Sequence, residues 1–349
     1  MRTRKRHSFH KTGIVLALGM LLSAPSASHG QAHERTPCAI TPDFAFYSDF
    51  ATNLNDALVA AGVARNHHKP ELFQSGAEKS CFGELPPSAR AAWNQAVGYY
   101  AEIISPAEWS DRRQYLLRVD LAGFDEELQD AGARQFVNIA RSFRAAATPA
   151  YEACRWATQD AENRRWIEGL KPRLAAHEQR IAHRLEELYR KPWDGLPIPV
   201  DVVETVNWSG ANSIIRSPAG GHLLISNSYQ GPAALEIVFH EASHLLMDRD
   251  DPLRKALEAA ASTLDVPLPG DLWHVVLFYT TGEAVRRILD DAGESGYTPV
   301  IYAIFDRNNK WARYRKAIES TWPAYMDGER SLSEAAADLI RALPEPGEP

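Results

Sequence analysis

Cysteine is scarce in this chain of 349 residues, with only Cys38, Cys81 and Cys154. None stands at metal-ligand spacing from another, which argues against a cysteine-built metal site. In an oxidising compartment two of them would pair and one would be left over, and the spacing does not choose the pair. A basic patch with interleaved aromatics is also lacking. With a formal net charge of -7 at pH 7, this argues against a nucleic-acid partner. Beyond the first 24 residues no run approaches 18 apolar residues, so no stable membrane insertion is expected after that point. There is no internal repeat. The one biased segment is the Pro/Glu tail, residues 344–349, expected to be disordered.

The start of the chain is different in kind. Residues 1–11 hold three Arg, two Lys and no acid. Residues 12–24 are apolar and too short to span a bilayer, and small residues follow. Basic, then apolar, then small is the pattern of a secretory signal peptide over about residues 1–30. Cleavage after Ala27, Gly30 or Ala32 fits equally well. Export to the periplasm or the extracellular space is the expectation.

The remainder is globular in composition, 45% hydrophobic and 24% charged. Residues 31–190 read as a helical N-terminal region, with apolar residues at three and four spacing over 46–61, 88–104, 130–147 and 162–189. Pro172 predicts a break or kink near Leu170. The pattern changes at Lys191-Pro192-Trp193. Residues 200–206, 213–216 and 222–227 read as three short strands, the last two joined by a hairpin turn at 217–221. The fold class expected is α+β, mainly α.

Directly after the strands comes Gly231-Pro232, then a stretch without Gly or Pro that carries His240-Glu241-Ala242-Ser243-His244. Proline suits the first helical position, where its missing N–H does no harm. On a helix, residues four apart share a face, so His240 and His244 can aim at one metal ion. Glu241 is turned by about 100° and can reach a water without ligating the metal. Two imidazoles, an open position and a carboxylate base are what hydrolysis at zinc needs.

A small sheet followed by this H-E-x-x-H helix resembles the catalytic core of zincin metallopeptidases, over about residues 199–289. The core would lie in residues 191–343, with a helical C-terminal part. The resemblance implies one Zn2+ ion, a peptide or protein substrate added along an edge strand at His222 to Asn227, and Glu241 as general base. A third ligand is then required. Met247 and Asp250 stand where metzincins carry a glycine and a histidine, so that branch fits poorly, although Asp250 stays open as a ligand. Gluzincins take a Glu from a downstream helix, and residues 271–289 offer one. Glu283 follows Gly282, whose small size would let the two helices approach closely, and it sits in an apolar stretch where a lone carboxylate is costly. The ligand set expected is therefore His240, His244 and Glu283. His274 on the same helix is the rival ligand, and a salt bridge to Arg286 or Arg287 is the alternative use of Glu283. Tyr279, His274, Tyr302 and Arg286 are candidate oxyanion donors. Two other readings stand beside the peptidase: an inactive zincin-fold binding or scaffold protein, and a zinc hydrolase of a non-peptide amide such as cell-wall material.

Overall fold

The computed structural model describes residues 35–344 apart from 106–111, 125, 127, 194–196, 207–209, 216–219 and 248–249. The expected leader, the tail beyond 344, Arg216 and most of the expected hairpin turn lie outside the described residues.

The chain begins with β1 (Ala39–Ile40) and β2 (Phe44–Tyr47). Both fall where the sequence had suggested helix. Alternation explains the strand: Phe44 and Phe46 point to one side and are fully buried. The helix starts only after Asp49, whose carboxylate accepts from the Thr52 amide and caps α1 (Phe50–Asn66). Then follow α2 (Gly76–Glu84), α3 (Pro87–Tyr99), α4 (Arg112–Leu121), α5 (Ala131–Tyr151) and α6 (Ala157–Tyr189). A π-helical turn, Glu152–Trp156, joins α5 to α6 without a break. Pro172 lies inside α6, which runs on past it, so the break that was one of the two expectations near Leu170 does not occur. The proline is exposed, so the Glu168 carbonyl that it leaves without an N–H partner can be hydrated.

Next come β3 (Ile198–Val203), β4 (Ala211–Ile215) and β5 (Gly221–Ser226). The five strands form one mixed sheet in the order β1-β2-β3-β5-β4. β2, β3 and β5 are parallel, while β1 and β4 are antiparallel to their neighbours. Strand β5 is thus interior, hydrogen-bonded on both sides, and His222–Asn227 is not the edge expected for a peptide. The edge on that side is β4. Every residue of β5 is buried, as suits a strand covered on both faces.

The rest is helical: α7 (Gly231–Ser243) with a 3-10 turn at His244–Leu246, α8 (Pro252–Leu264), α9 (Leu272–Asp291), α10 (Val300–Phe305), α11 (Asn309–Ala312), α12 (Arg315–Met326) and α13 (Leu332–Ala342). The protein is mainly α with one small sheet.

The main core joins one face of the sheet (Phe44, Phe46, Val200, Val202, Leu223, Ile225) to α6, α7 and α9. A second core lies among α1, α3 and α5, around Leu58, Trp93, Tyr100 and Tyr151. A disulfide between Cys81 and Cys154 ties α2 to the π turn beside this second core, leaving Cys38 as the free thiol. On the far face of the sheet Asp201 is fully buried. It accepts from the Thr52 hydroxyl at 2.8 Å, pairs with His222 at 3.0 Å and bonds Arg35. These partners hold its carboxyl below the ordinary value even though burial opposes ionisation.

Candidate metal centre

The centre is built by two helices, α7 and α9, packed side by side. Gly231 takes φ +56° at the start of α7, a value that suits a residue without Cβ, and Pro232 follows within the first turn. Leu235, Val238 and Phe239 face the main core, and the Phe239 ring meets Phe44 edge-on at 5.2 Å. Each such buried side chain contributes roughly 1.5–3 kcal/mol.

The contacts show that α9 runs antiparallel to α7. His244 meets His274 at a ring separation of 4.9 Å, His240 meets Phe278 at 3.7 Å, and Glu236 lies against Gly282. A Cβ at Gly282 would stand 2.8 Å from Pro299 Cβ and 3.1 Å from Glu236 Oε1, so the glycine is needed for this approach. Farther along, the Ser243 hydroxyl donates to Phe239 O at 2.7 Å and stands 3.1 Å from Thr281 Oγ1. The Tyr189 hydroxyl of α6 donates to Leu277 O at 3.0 Å and lies 2.8 Å from Thr281 Oγ1. This buried network fixes the axial setting of one helix on the other.

That setting brings three imidazoles together. His240, His244 and His274 each offer a ligand atom, all within 4.8 Å of one another. This spread is wider than the separation of about 3.3 Å between nitrogens on one tetrahedral zinc at bond lengths of 2.0–2.1 Å. A bound ion would draw the three nitrogens together by that difference. His240 Nδ1 and His274 Nε2 are buried and have no hydrogen-bond partner among the described residues. Unpartnered buried nitrogens are costly, and a metal ion with its water would satisfy them. All three rings are held neutral, the state that binds metal. Burial pushes His240 and His244 well below the ordinary histidine value, aided by the neighbouring imidazoles. Burial brings His274 down to about 4, opposed by Asp271. Asp271 occupies the N-cap position of α9, but its carboxylate does not cap the helix. It accepts from Trp311 Nε1 at 3.0 Å and from the Tyr314 hydroxyl at 3.1 Å, and Trp311 stands edge-on to His274 at 5.1 Å.

Glu241 is buried beside the cluster. Burial raises its carboxyl to about 8, while a hydrogen bond with Ser213 and the charge of Arg118 pull it back. Ser213 lies on β4, the edge strand, and Arg118 reaches in from α4 to bond the side chain of its neighbour Asn212.

Glu283 is placed elsewhere. It lies nine residues beyond His274, about 13 Å along the helix axis. Arg286 grips it with Nε at 3.1 and 3.2 Å and Nη2 at 2.7 Å, and the Tyr302 hydroxyl donates to it at 3.2 Å. Tyr279 packs on Tyr302 at 6.4 Å and belongs to this second group, as does Arg286. The structure thus groups Glu283, Tyr279, Tyr302 and Arg286 together and away from the three imidazoles. Asp250 has an exposed side chain and pairs with Lys255 at 2.9 Å.

Sequence reasoning missed Glu236. It is fully buried one turn before His240, accepting from the Tyr297 hydroxyl at 2.5 Å and the Val300 amide at 3.1 Å. Burial lifts it to about 8. An acid inside the apolar run Leu235 to Phe239 was the available signal. Comparisons with models of protein families, with curated proteins and with solved structures returned no match for this chain.

Proposed function

We propose that this protein is an exported zinc-dependent hydrolase of peptide bonds, with His240, His244 and His274 as the metal ligands. The observation that carries the reading is the convergence of three neutral imidazoles, two of them buried and His274 half-buried, beside a buried carboxylate. Zinc suits three nitrogen donors with one position left open, and when bound it supplies Lewis acidity to a carbonyl and to water.

The chain's own groups do the rest. Glu241, with a carboxyl near neutrality, takes a proton from the attacking water and passes it to the leaving amine. Ser213 and Arg118 keep part of its population ionised. Ser213 also puts the edge strand β4 next to the base. An extended substrate is therefore proposed along β4, since an edge strand can take a peptide backbone as a further strand. The packing of α9 on α7 presents His274, while Glu283 serves as a structural anchor for Arg286 and Tyr302.

The test is zinc content and turnover in four purified proteins. Wild type should hold about one zinc and hydrolyse peptides. Glu241→Gln should keep zinc and lose turnover. His274→Ala should lose zinc affinity by more than the 10- to 100-fold typical of an outer-shell partner. Glu283→Gln should retain zinc. Zinc lost from Glu283→Gln and kept by His274→Ala would overturn the ligand set, and turnover by Glu241→Gln would overturn the chemistry.

A further inference from the structure

Beside the three imidazoles stands a cation that the proposed hydrolysis does not use. Arg254 lies in the first turn of α8, behind the N-cap Asp251, whose Oδ1 accepts from the Arg254 amide at 2.8 Å. Asp251 is buried, and its Oδ2 lies 3.3 Å from Arg254 Nε. This fixes the inner side of the guanidinium. Among the described residues, neither terminal nitrogen of Arg254 has a hydrogen-bond partner, and the side chain is 29% exposed. Its Cζ sits 3.6 Å from the ring centre of Trp273. Trp273 in turn is 5.1 Å from the His274 ring, nearly parallel to it, and 5.8 Å from the His244 ring, edge-on. One indole therefore separates a planar fork of donors from two of the three imidazoles. Stacking on an aromatic face suits arginine and leaves its in-plane donors available for a carboxylate.

We propose that Arg254, braced on Trp273, receives the terminal carboxylate of a peptide substrate, so that the protein removes residues from the C-terminus. The proposal rests on the hydrolase reading and names the substrate class of that same site. The distances leave room for a residue between the bond that is cut and the carboxylate. Legs of 3.6 and 5.8 Å cannot place Arg254 Cζ more than about 9.4 Å from the His244 ring. One extended residue spans about 3.5 Å and a carboxylate–guanidinium pair about 4 Å between carbons, which fills most of that gap. The Arg254 charge also acts on His244 and His274, helping to keep both rings neutral.

The experiment is done first by binding. Zinc-loaded Glu241→Gln protein is titrated with N-acetyl-dialanine and with its C-terminal amide by calorimetry, with Arg254 present and as Arg254→Gln. The acid should bind roughly 10- to 100-fold more tightly than the amide, as a charge-assisted pair implies, and Arg254→Gln should bring the ratio near one. Arg254→Lys, keeping the charge without the fork, should restore part of the preference. Equal affinities for acid and amide, or a preference that survives in Arg254→Gln, would overturn the subsite. Turnover of the same two compounds by wild type reports separately on the hydrolase reading: cleavage of neither with a clear acid preference in binding would sink hydrolysis and leave the carboxylate subsite standing.

Discussion

Gly282→Ala tests the helix contact that sets the whole centre. The added Cβ would stand 2.8 Å from Pro299 Cβ and 3.1 Å from Glu236 Oε1. Carbon atoms in contact prefer about 3.5–4.0 Å, so something must move by roughly an ångström. Neither neighbour yields easily. Proline has no rotamer to change, and Glu236 is held by Tyr297 and by the Val300 amide. Overpacking of this kind costs about 1–3 kcal/mol, while alanine in place of a helical glycine returns about 1 kcal/mol. The net expectation is a loss of about 1 kcal/mol, and a larger one for Gly282→Val. Because α9 carries His274 a little over two turns away, a retreat of that helix also loosens the three-imidazole cluster. Metal sites tolerate only about 0.2 Å in bond length, so zinc affinity should fall together with stability. Urea unfolding of the metal-free protein and chelator competition of the zinc form read the two effects separately. If Gly282→Ala gains stability by the full helix-propensity increment, the close approach is not what the glycine serves.

Other perturbations follow from single residues. Glu236 is raised to about 8 in the folded protein against an ordinary value of 4.5. A raised carboxyl contributes stability that is complete below its unfolded value and is lost as pH rises towards 8. Glu236→Gln should remove that loss, up to about 4 kcal/mol, flattening urea midpoints between pH 5 and pH 8; an unchanged slope would show that Glu236 is not the titrating group. The three neutral histidines act in the opposite sense. Their lowered values mean that the metal-free protein should lose stability as pH falls from about 6.5 towards 4, and His274→Asn should recover part of it in thermal melts. Replacing Cys81 and Cys154 together by serine opens a link across 73 residues. On the chain-entropy account this should cost about 4 kcal/mol, and a double variant melting at the wild-type temperature would contradict it.

The parts of the fold that the sequence showed are those where local pattern and tertiary role agree. The His240–His244 helix was legible because its Gly231-Pro232 start, apolar face and ligand spacing all point one way. The small sheet was legible for the same reason, while the reciprocal cap of Ser331 and Glu334 on the last helix is a finding of the structure. What stayed hidden depended on partners far along the chain. Phe44 to Tyr47 is four residues long and becomes a strand only because β3 lies beside it. The zincin resemblance implies an edge at His222 to Asn227, yet the unbroken burial of β5 is the mark of an interior strand. His274 and Glu283 could be weighed only through their separation of nine residues, since which one faces α7 depends on the axial setting fixed by Gly282, Thr281 and Ser243. That setting is a tertiary fact. Glu283 looked like a ligand because a lone buried acid needs a partner, and Arg286 supplies one within a single helical turn.

The central claim is that three imidazoles hold one zinc ion beside Glu241. X-ray absorption at the zinc edge of the purified protein tests it most directly. The account predicts one zinc per chain with three imidazole nitrogens at about 2.0–2.1 Å and a single light oxygen donor. A shell with two imidazoles and a protein carboxylate, or a protein that takes up no zinc at one equivalent, would contradict it.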